Sequence, residues 1–287
     1  MNPAILFLES PTAAHNDNHE RLPRLFNKAG WEIHTAPHDA LNWRDGKLYC
    51  GAYRCDAHAL VWPLGLGPRP TFIDRHELLC SLPPGLCINA PNTYLTMHGK
   101  SRWLAYAPTT YVSNDPQYLT AKIRASTDTW VLKPLAGSFG HQVHKVHNDA
   151  QAQDILQHYP PQYWVLQKYI HAIVEGETRT LICADQVIGS YLRRPKAGFR
   201  ANLALGSTVH PTTLNEADQE LITQVQKTLR HSGIRFAAID TVGGYVMEVN
   251  IANPGGLGTL ATLYGAELIE ERMLASISGL NSTSSRA

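Results

Sequence analysis

The sequence predicts an α/β fold in three lobes, from three observations. At 287 residues the chain exceeds a single ordinary core of ~100 to 150 residues. Residues 1 to about 90 alternate short apolar runs with helical patterns, which points to a small parallel sheet with helices on its faces. From WVLQKYI onward the pattern becomes mostly antiparallel strands joined by short turns.

In the first lobe AILFLE, WEIHTA, ALVW and LCINA read as strands, while RLPRLFNKAG and TFIDRHELLCSL read as helices. Gly46 in WRDGKLY marks a turn between two strand-like pieces. No GxGxxG follows the first strand, which leaves a dinucleotide-binding domain without support. The second lobe reads as helix NTYLTMHGKSRWLAYA, strand TTYVS, helix PQYLTAKIRAS, strand WVLKPL, a Gly-containing turn, strand HQVHKV and helix DAQAQDILQHY. The third carries ETRTLIC, the turn ADQ, VIGSYLRR, the helix NEADQELITQVQKTLRHSG, a hairpin and a closing amphipathic helix, LATLYGAELIEERMLASI. The expected divisions are 1–95, 96–162 and 163–280, with 281–287 a frayed tail.

Composition narrows the function. With 44% hydrophobic and 17% charged residues and a net charge of +1, the chain has no electrostatic footprint for nucleic acid or an acidic membrane. No window approaches ~20 apolar residues, and the N-terminal run MNPAILFLESPTAAHND is too short for a signal sequence. Five cysteines without a CxxC pair argue for reduced thiols and a cytoplasmic protein.

Four stretches carry chemistry. In DTVGGYVMEVN, Glu248 and Asn250 share a strand face. A two-residue Gly243-Gly244 loop would pair Asp240 with Met247. One extra residue or a bulge pairs it with Glu248, and that second register is expected. Two carboxylates ~4 Å apart repel by roughly 4 kcal/mol at an effective dielectric near 20, so the set asks for a cation or a shared proton. Oxygen ligands without Cys or His suit Mg²⁺; the plain alternative is a solvated hairpin edge. In WVLKPLAGSFG, Lys133 ends an apolar strand, and Gly137, Ser138 and their neighbours can cradle phosphate oxygens. Against this stands an ordinary hairpin with a snorkelling lysine. In WVLQKYI, Gln167, Lys168, Tyr169 and Ile170 could wall a base pocket. Arg179, Arg193, Arg194 and Arg200 suit carboxylate or phosphate, and PKAGFR reads as a loop able to close over an anion, or as a solvated basic loop. His141, His144 and His147 alternate faces on a strand, so they do not converge as a zinc set.

The order of these motifs is specific. Lys100 after INAP, then VLKPLAGSFG, VLQKYI, EGETRTLICADQVIGSYLRR, FRANLALG and AAIDTVGGYVMEVN with NPGG behind it resemble the ATP-grasp superfamily. The likeness is to prokaryotic glutathione synthetase first and to ribosomal-protein glutamate ligases next, over residues 86 to 255 and more faintly before them. It implies an ATP-grasp fold: an N-terminal α/β domain, a central lid and a C-terminal antiparallel sheet. It also implies an ATP- and Mg²⁺-dependent ligase, with Mn²⁺ able to replace Mg²⁺.

Carried over by position, Lys100, Lys133, Gly137 and Ser138 would meet phosphates, Gln167, Lys168, Tyr169 and Ile170 the adenine, and Glu177 the ribose. Asp240, Glu248 and Asn250 would hold the metal, and Arg179, Arg193, Arg200 and Asn202 the acceptor carboxylate and transferring phosphoryl group. ATP would convert a carboxylate to an acyl phosphate that an amine then attacks. The expected partners are small amino-acid or peptide substrates, with no nucleic acid and no membrane, in a homo-oligomer. Ala136 replaces the family's acidic turn residue, and ALVWPLGLGPRP lacks the charges that the synthetase carries there. A glutamate ligase acting on a protein tail or cofactor, and a non-catalytic ATP-binding regulator, are the alternatives. Asp240→Asn and Glu248→Gln are both expected to abolish turnover and keep the fold.

Overall fold

The computed structural model describes residues 2–10, 16–137, 141–196, 198 and 206–283. Its first unit contains β1 (Ala4–Glu9), α1 (Asn18–Lys28), β2 (Glu32–Pro37), β3 (Leu41–Arg44), β4 (Lys47–Cys50), β5 (Tyr53–Arg54), β6 (Leu60–Pro63), α2 (Phe72–Cys80) and α3 (Pro91–Thr96). β1 pairs in parallel with β2 on one side and β6 on the other. Ile5, Leu6, Phe7 and Leu8 are all buried, as expected of a strand covered on both faces. β3, β4 and β5 form a separate antiparallel meander. Its first turn uses Asp45 and Gly46, both at positive φ (51° and 70°), the pairing that a two-residue hairpin favours.

The central unit holds β7 (Thr110–Ser113), α4 (Pro116–Arg124), β8 (Trp130–Pro134), β9 (His144–Val146), α5 (Asp149–His158) and β10 (Trp164–Lys168), with strand order β7-β10-β8-β9 and every pairing antiparallel. Side-chain caps start both helices: Asp115 accepts from the Gln117 N–H at 2.8 Å, and Asn148 from that of Gln151 at 2.9 Å. β10 lies between β7 and β8, so the strand assigned from sequence to the third lobe belongs to the second. The last strand of that sheet ends at Lys168. The single helix expected over NTYLTMHGKSRWLAYA is interrupted over residues 97–99, a stretch that includes a poor helix former, Gly99, and so divides into α3 and a 3₁₀ segment that begins at Lys100.

The third unit comprises β11 (Glu177–Cys183), β12 (Gln186–Arg194), β13 (Thr208–Pro211), α6 (Glu216–His231), β14 (Phe236–Val242), β15 (Tyr245–Asn250), α7 (Leu257–Tyr264) and α8 (Ala266–Thr283). Its antiparallel sheet has the order β13-β12-β11-β14-β15. The closing helix expected as one piece is split at Gly265, which sits at φ 95°. α8 runs on through 281–283, residues expected to fray; 284–287 lie outside the described residues.

One core joins the first and third units. Phe7, Phe26 and Trp62 pack with Tyr191, Phe236, Leu260 and Met273. Trp62 is 1% exposed, and its ring meets Phe236 edge-on at 5.0 Å. Trp62→Ala should therefore lower unfolding free energy by ~3–5 kcal/mol, read by denaturant titration. A change below ~1 kcal/mol would mean that the two units are not held through this cluster. Among the described residues no helix is long and apolar enough to cross a membrane.

Candidate active site

Strand register builds the first wall. β11 pairs Glu177 with Arg193 and Arg179 with Tyr191 on β12, and Arg179 with Asp240 on β14. β14 in turn pairs Asp240 with Glu248, with the bulge immediately after Asp240. This is the second of the two registers weighed from sequence. Directly opposed residues share a face, so Glu177, Arg179, Arg193, Asp240, Glu248 and Asn250 all project from one side of the sheet.

Asp240, 2% exposed, is gripped by two guanidinium groups. Arg179 donates from Nε to Oδ1 and from Nη2 to Oδ2, both at 2.8 Å, and Arg193 donates from Nη2 to Oδ2 at 2.8 Å. Arg179 Nη1 also reaches the Gly255 carbonyl at 3.3 Å, and Arg193 pairs with Glu177. Burial alone would push the Asp240 carboxyl up, but Arg179 and Arg193 override it and hold it below the usual carboxylate range. Glu177 goes the other way: burial raises it, beyond what Arg193 restores. The carboxylate expected at a ribose is placed here against Arg193. Glu248 is more open, its side chain 44% exposed and 3.5 Å from the Lys100 ammonium. Asn250 Oδ1 accepts from the Ala252 N–H at 3.2 Å.

The second wall is the cleft face of the central sheet. Lys133 on β8 donates to Gln167 Oε1 at 3.0 Å, and Gln167 Nε2 donates to Thr110 Oγ1 at 3.0 Å. Gln167 thus links Lys133 to Thr110 and keeps one amide N–H and one oxygen lone pair for a further partner. Lys133 forms no ion pair among the described residues, and burial, then repulsion from Lys100, lowers its pKa to about 8. Lys100 donates to the Gly137 carbonyl at 2.6 Å, which joins the Gly-containing turn to Glu248. Tyr169, Ile173 and Val242 pack with Val131, Ile170 and Met247 as an apolar wall between the two sheets.

Lys168 follows Gln167 on β10 and so points to the opposite face, where its ammonium meets Asp128 at 2.8 Å. Its N–H is also engaged, by the Thr109 carbonyl at 2.8 Å, so neither group reaches the cleft. Ser138, Arg200 and Asn202 lie outside the described residues.

Two residues on this face went unread in the sequence. Thr110 supports Gln167, and Lys145, opposite Val131 on β9, places its ammonium 3.9 Å from the Tyr169 ring centroid. Only the β8–β9 register could have revealed Lys145.

The residues fit an anionic nucleotide with a divalent cation. Lys133 is a shielded ammonium without a carboxylate partner, suited to phosphate. Among the described residues no three His, Cys, Asp or Glu side chains converge on a metal position. The oxygen donors on this face are the carboxylates of Glu177, Asp240 and Glu248 and the amide of Asn250, a set suited to an ion that keeps waters.

Residues 99–265 match the family model for the ATP-grasp domain of prokaryotic glutathione synthetase. Glutathione synthetase of Prochlorococcus marinus is 32% identical over 157 residues, 51% of this chain and 50% of that protein. The Nostoc sp. enzyme is 31% identical over 195 residues, 65% of this chain and 60% of its own. The chain thus spans 50% to 60% of the length of these two curated relatives. Among solved structures, the ATP-grasp ligase PsnB complexed with a minimal precursor superposes with TM-score 0.69 at 15% identity, covering 97% of this chain and 100% of that one. The D-cycloserine synthetase DcsG gives 0.69 at 13%, covering 95% and 99%. These likenesses carry the fold, a mixed α/β ATP-grasp architecture with a C-terminal antiparallel sheet. The chain belongs to the prokaryotic glutathione synthetase ATP-grasp domain family.

Proposed function

We propose that this protein is an ATP- and Mg²⁺-dependent, ADP-forming ligase that joins a carboxylate to an amine through an acyl phosphate, in the manner of glutathione synthetase. One observation carries the reading: the two walls bring Lys100 and Lys133 to the same cleft as Glu248, with Lys100 3.5 Å from Glu248 and Arg179 and Arg193 behind on the same sheet face. Lys100 and Lys133 would hold phosphates, and the Tyr169 and Ile170 wall the base. Glu248 and Asn250, with Asp240, would hold the cation, which supplies charge neutralisation at the phosphates when bound.

The remaining work falls to the chain's own groups. Arg179 and Arg193 present fixed positive charge toward the reacting carboxylate, in a site where burial strengthens electrostatics. No nucleophilic Ser or Cys is needed, because the activated carboxylate is itself the electrophile. The first unit would supply the acceptor pocket, at the carboxyl ends of β1 and β6, where open α/β sheets take ligands. Small amino-acid or peptide substrates and a cytoplasmic setting complete the reading; all five cysteines are unpaired thiols.

The test is ADP release with Mg-ATP against amino acids, dipeptides and γ-glutamylcysteine, singly and in pairs, with mass spectrometry of the products. ADP that depends on one pair, with a product mass equal to the two joined less water, is the expected result. ADP formed at the same rate without an acceptor, or none with any pair, would overturn the small-molecule ligase.

A further inference from the structure

Lys145 is a cleft residue that the reading above leaves without a role. β9 pairs Lys145 directly with Val131 on β8, so it shares the face that carries Lys133. Its ammonium stands 3.9 Å from the centroid of the Tyr169 ring, and it forms no ion pair with a carboxylate among the described residues. Tyr169 is 7% exposed and packs with Ile173, Val242, Val131, Ile170 and Met247. It is also the residue where the chain leaves β10: its N–H donates to the Thr129 carbonyl at 2.9 Å, and Ile170 follows. The ring is thus pinned by apolar packing on its flanks and capped by a cation.

Two features separate Lys145 from the other cleft lysines. Lys133 is committed to Gln167, and Lys100 to the Gly137 carbonyl and Glu248. Those two stand at the turn and the acidic strand, the end suited to phosphates. Lys145 stands at the apolar end, where a phosphate would lose its water without gaining a polar wall, and where a planar base is the ligand that such a wall fits. A cation over an aromatic face stabilises the ring's position through its quadrupole.

We propose that Lys145 is the positioning residue of the base pocket: capping Tyr169, it fixes that ring and the adjoining Ile170 segment for the purine, and it serves the base end of the nucleotide rather than the phosphate end. The proposal rests on the reading of the cleft as an ATP site. Base and phosphate roles separate with two ligands: AMPPNP with Mg²⁺, which has both ends, and inorganic tripolyphosphate, which has only one.

Calorimetric titration of the full chain with each ligand gives the test. Lys145→Met, which keeps the stem and loses the charge, should weaken AMPPNP about fivefold and leave tripolyphosphate unchanged. Lys145→Arg should restore AMPPNP binding, and in a Tyr169→Leu background Lys145→Met should have no further effect. Lys133→Met serves as the phosphate-end reference and should weaken both ligands. An equal loss of tripolyphosphate in Lys145→Met would make it a phosphate lysine and overturn the proposal; so would unchanged AMPPNP affinity, or an effect that persists without Tyr169. Failure of the unaltered chain to bind either ligand would instead remove the nucleotide site, and this proposal with it.

Discussion

Asp240→Asn is expected to abolish turnover and to lower unfolding free energy by ~3–5 kcal/mol, because removing one partner of a buried ion pair leaves the other uncompensated. Here two guanidiniums lose their common partner: Arg179 and Arg193 both bond a carboxylate that is 2% exposed. Glu248→Gln should abolish turnover equally and change stability by no more than ~0.5 kcal/mol, since its side chain is 44% exposed and its ion partner is Lys100 at 3.5 Å. The sequence makes these two acids equivalent; the structure separates them.

Acid sensitivity should follow the same division. Asp240 has a depressed native pKa. Its stabilisation is present above its unfolded value of roughly 4, and is lost as pH falls through the native one. The Asn variant should lack that part of the acid transition. ADP release together with denaturant unfolding at two pH values measures all of this. Equal stability of the two variants would mean that the arginines do not depend on Asp240.

Much of this site was legible because period-two alternation fixes faces wherever a strand is recognised. Glu248 and Asn250 follow from YVMEVN alone, and Lys133 from its place at the end of WVLKP. What alternation leaves open is the partner across the ladder. That Asp240 also binds Arg179 appears only once the β11 register sets the two against each other, and that Lys145 shares the face of Lys133 appears only once β9 sets it against Val131. For Lys168 the one-residue step from Gln167 puts the side chain on the far face with Asp128. The sheet that β10 joins is hidden from the sequence for a related reason. β10 pairs with two strands, β7 and β8, that lie about thirty residues or more upstream, and no local pattern records so distant a pairing.

Lys133→Met should weaken Mg-AMPPNP by roughly ten- to a hundredfold, the usual range for losing a charge-assisted hydrogen bond, and the pH dependence of binding should disappear with it. Burial first, and Lys100 second, lower the Lys133 pKa to about 8. A polyanion beside the ammonium favours the charged form and raises that value. Binding above pH 8 therefore takes up a proton, and affinity should be level below that point and fall as pH rises through it, by at most about tenfold per unit. Titration in two buffers with different ionisation enthalpies reads the proton uptake directly. The stability of the unliganded chain should move the other way. Above pH 8 native Lys133 is neutral, while the unfolded lysine stays protonated to roughly 10.4. The unfolded state then binds more protons, and rising pH favours the fold. Affinity that falls while stability from this group rises, both absent in Lys133→Met, identifies one buried ammonium as the source of both. Affinity level through that window would show that Lys133 keeps its proton without phosphate, and that its charge is already balanced in the empty cleft.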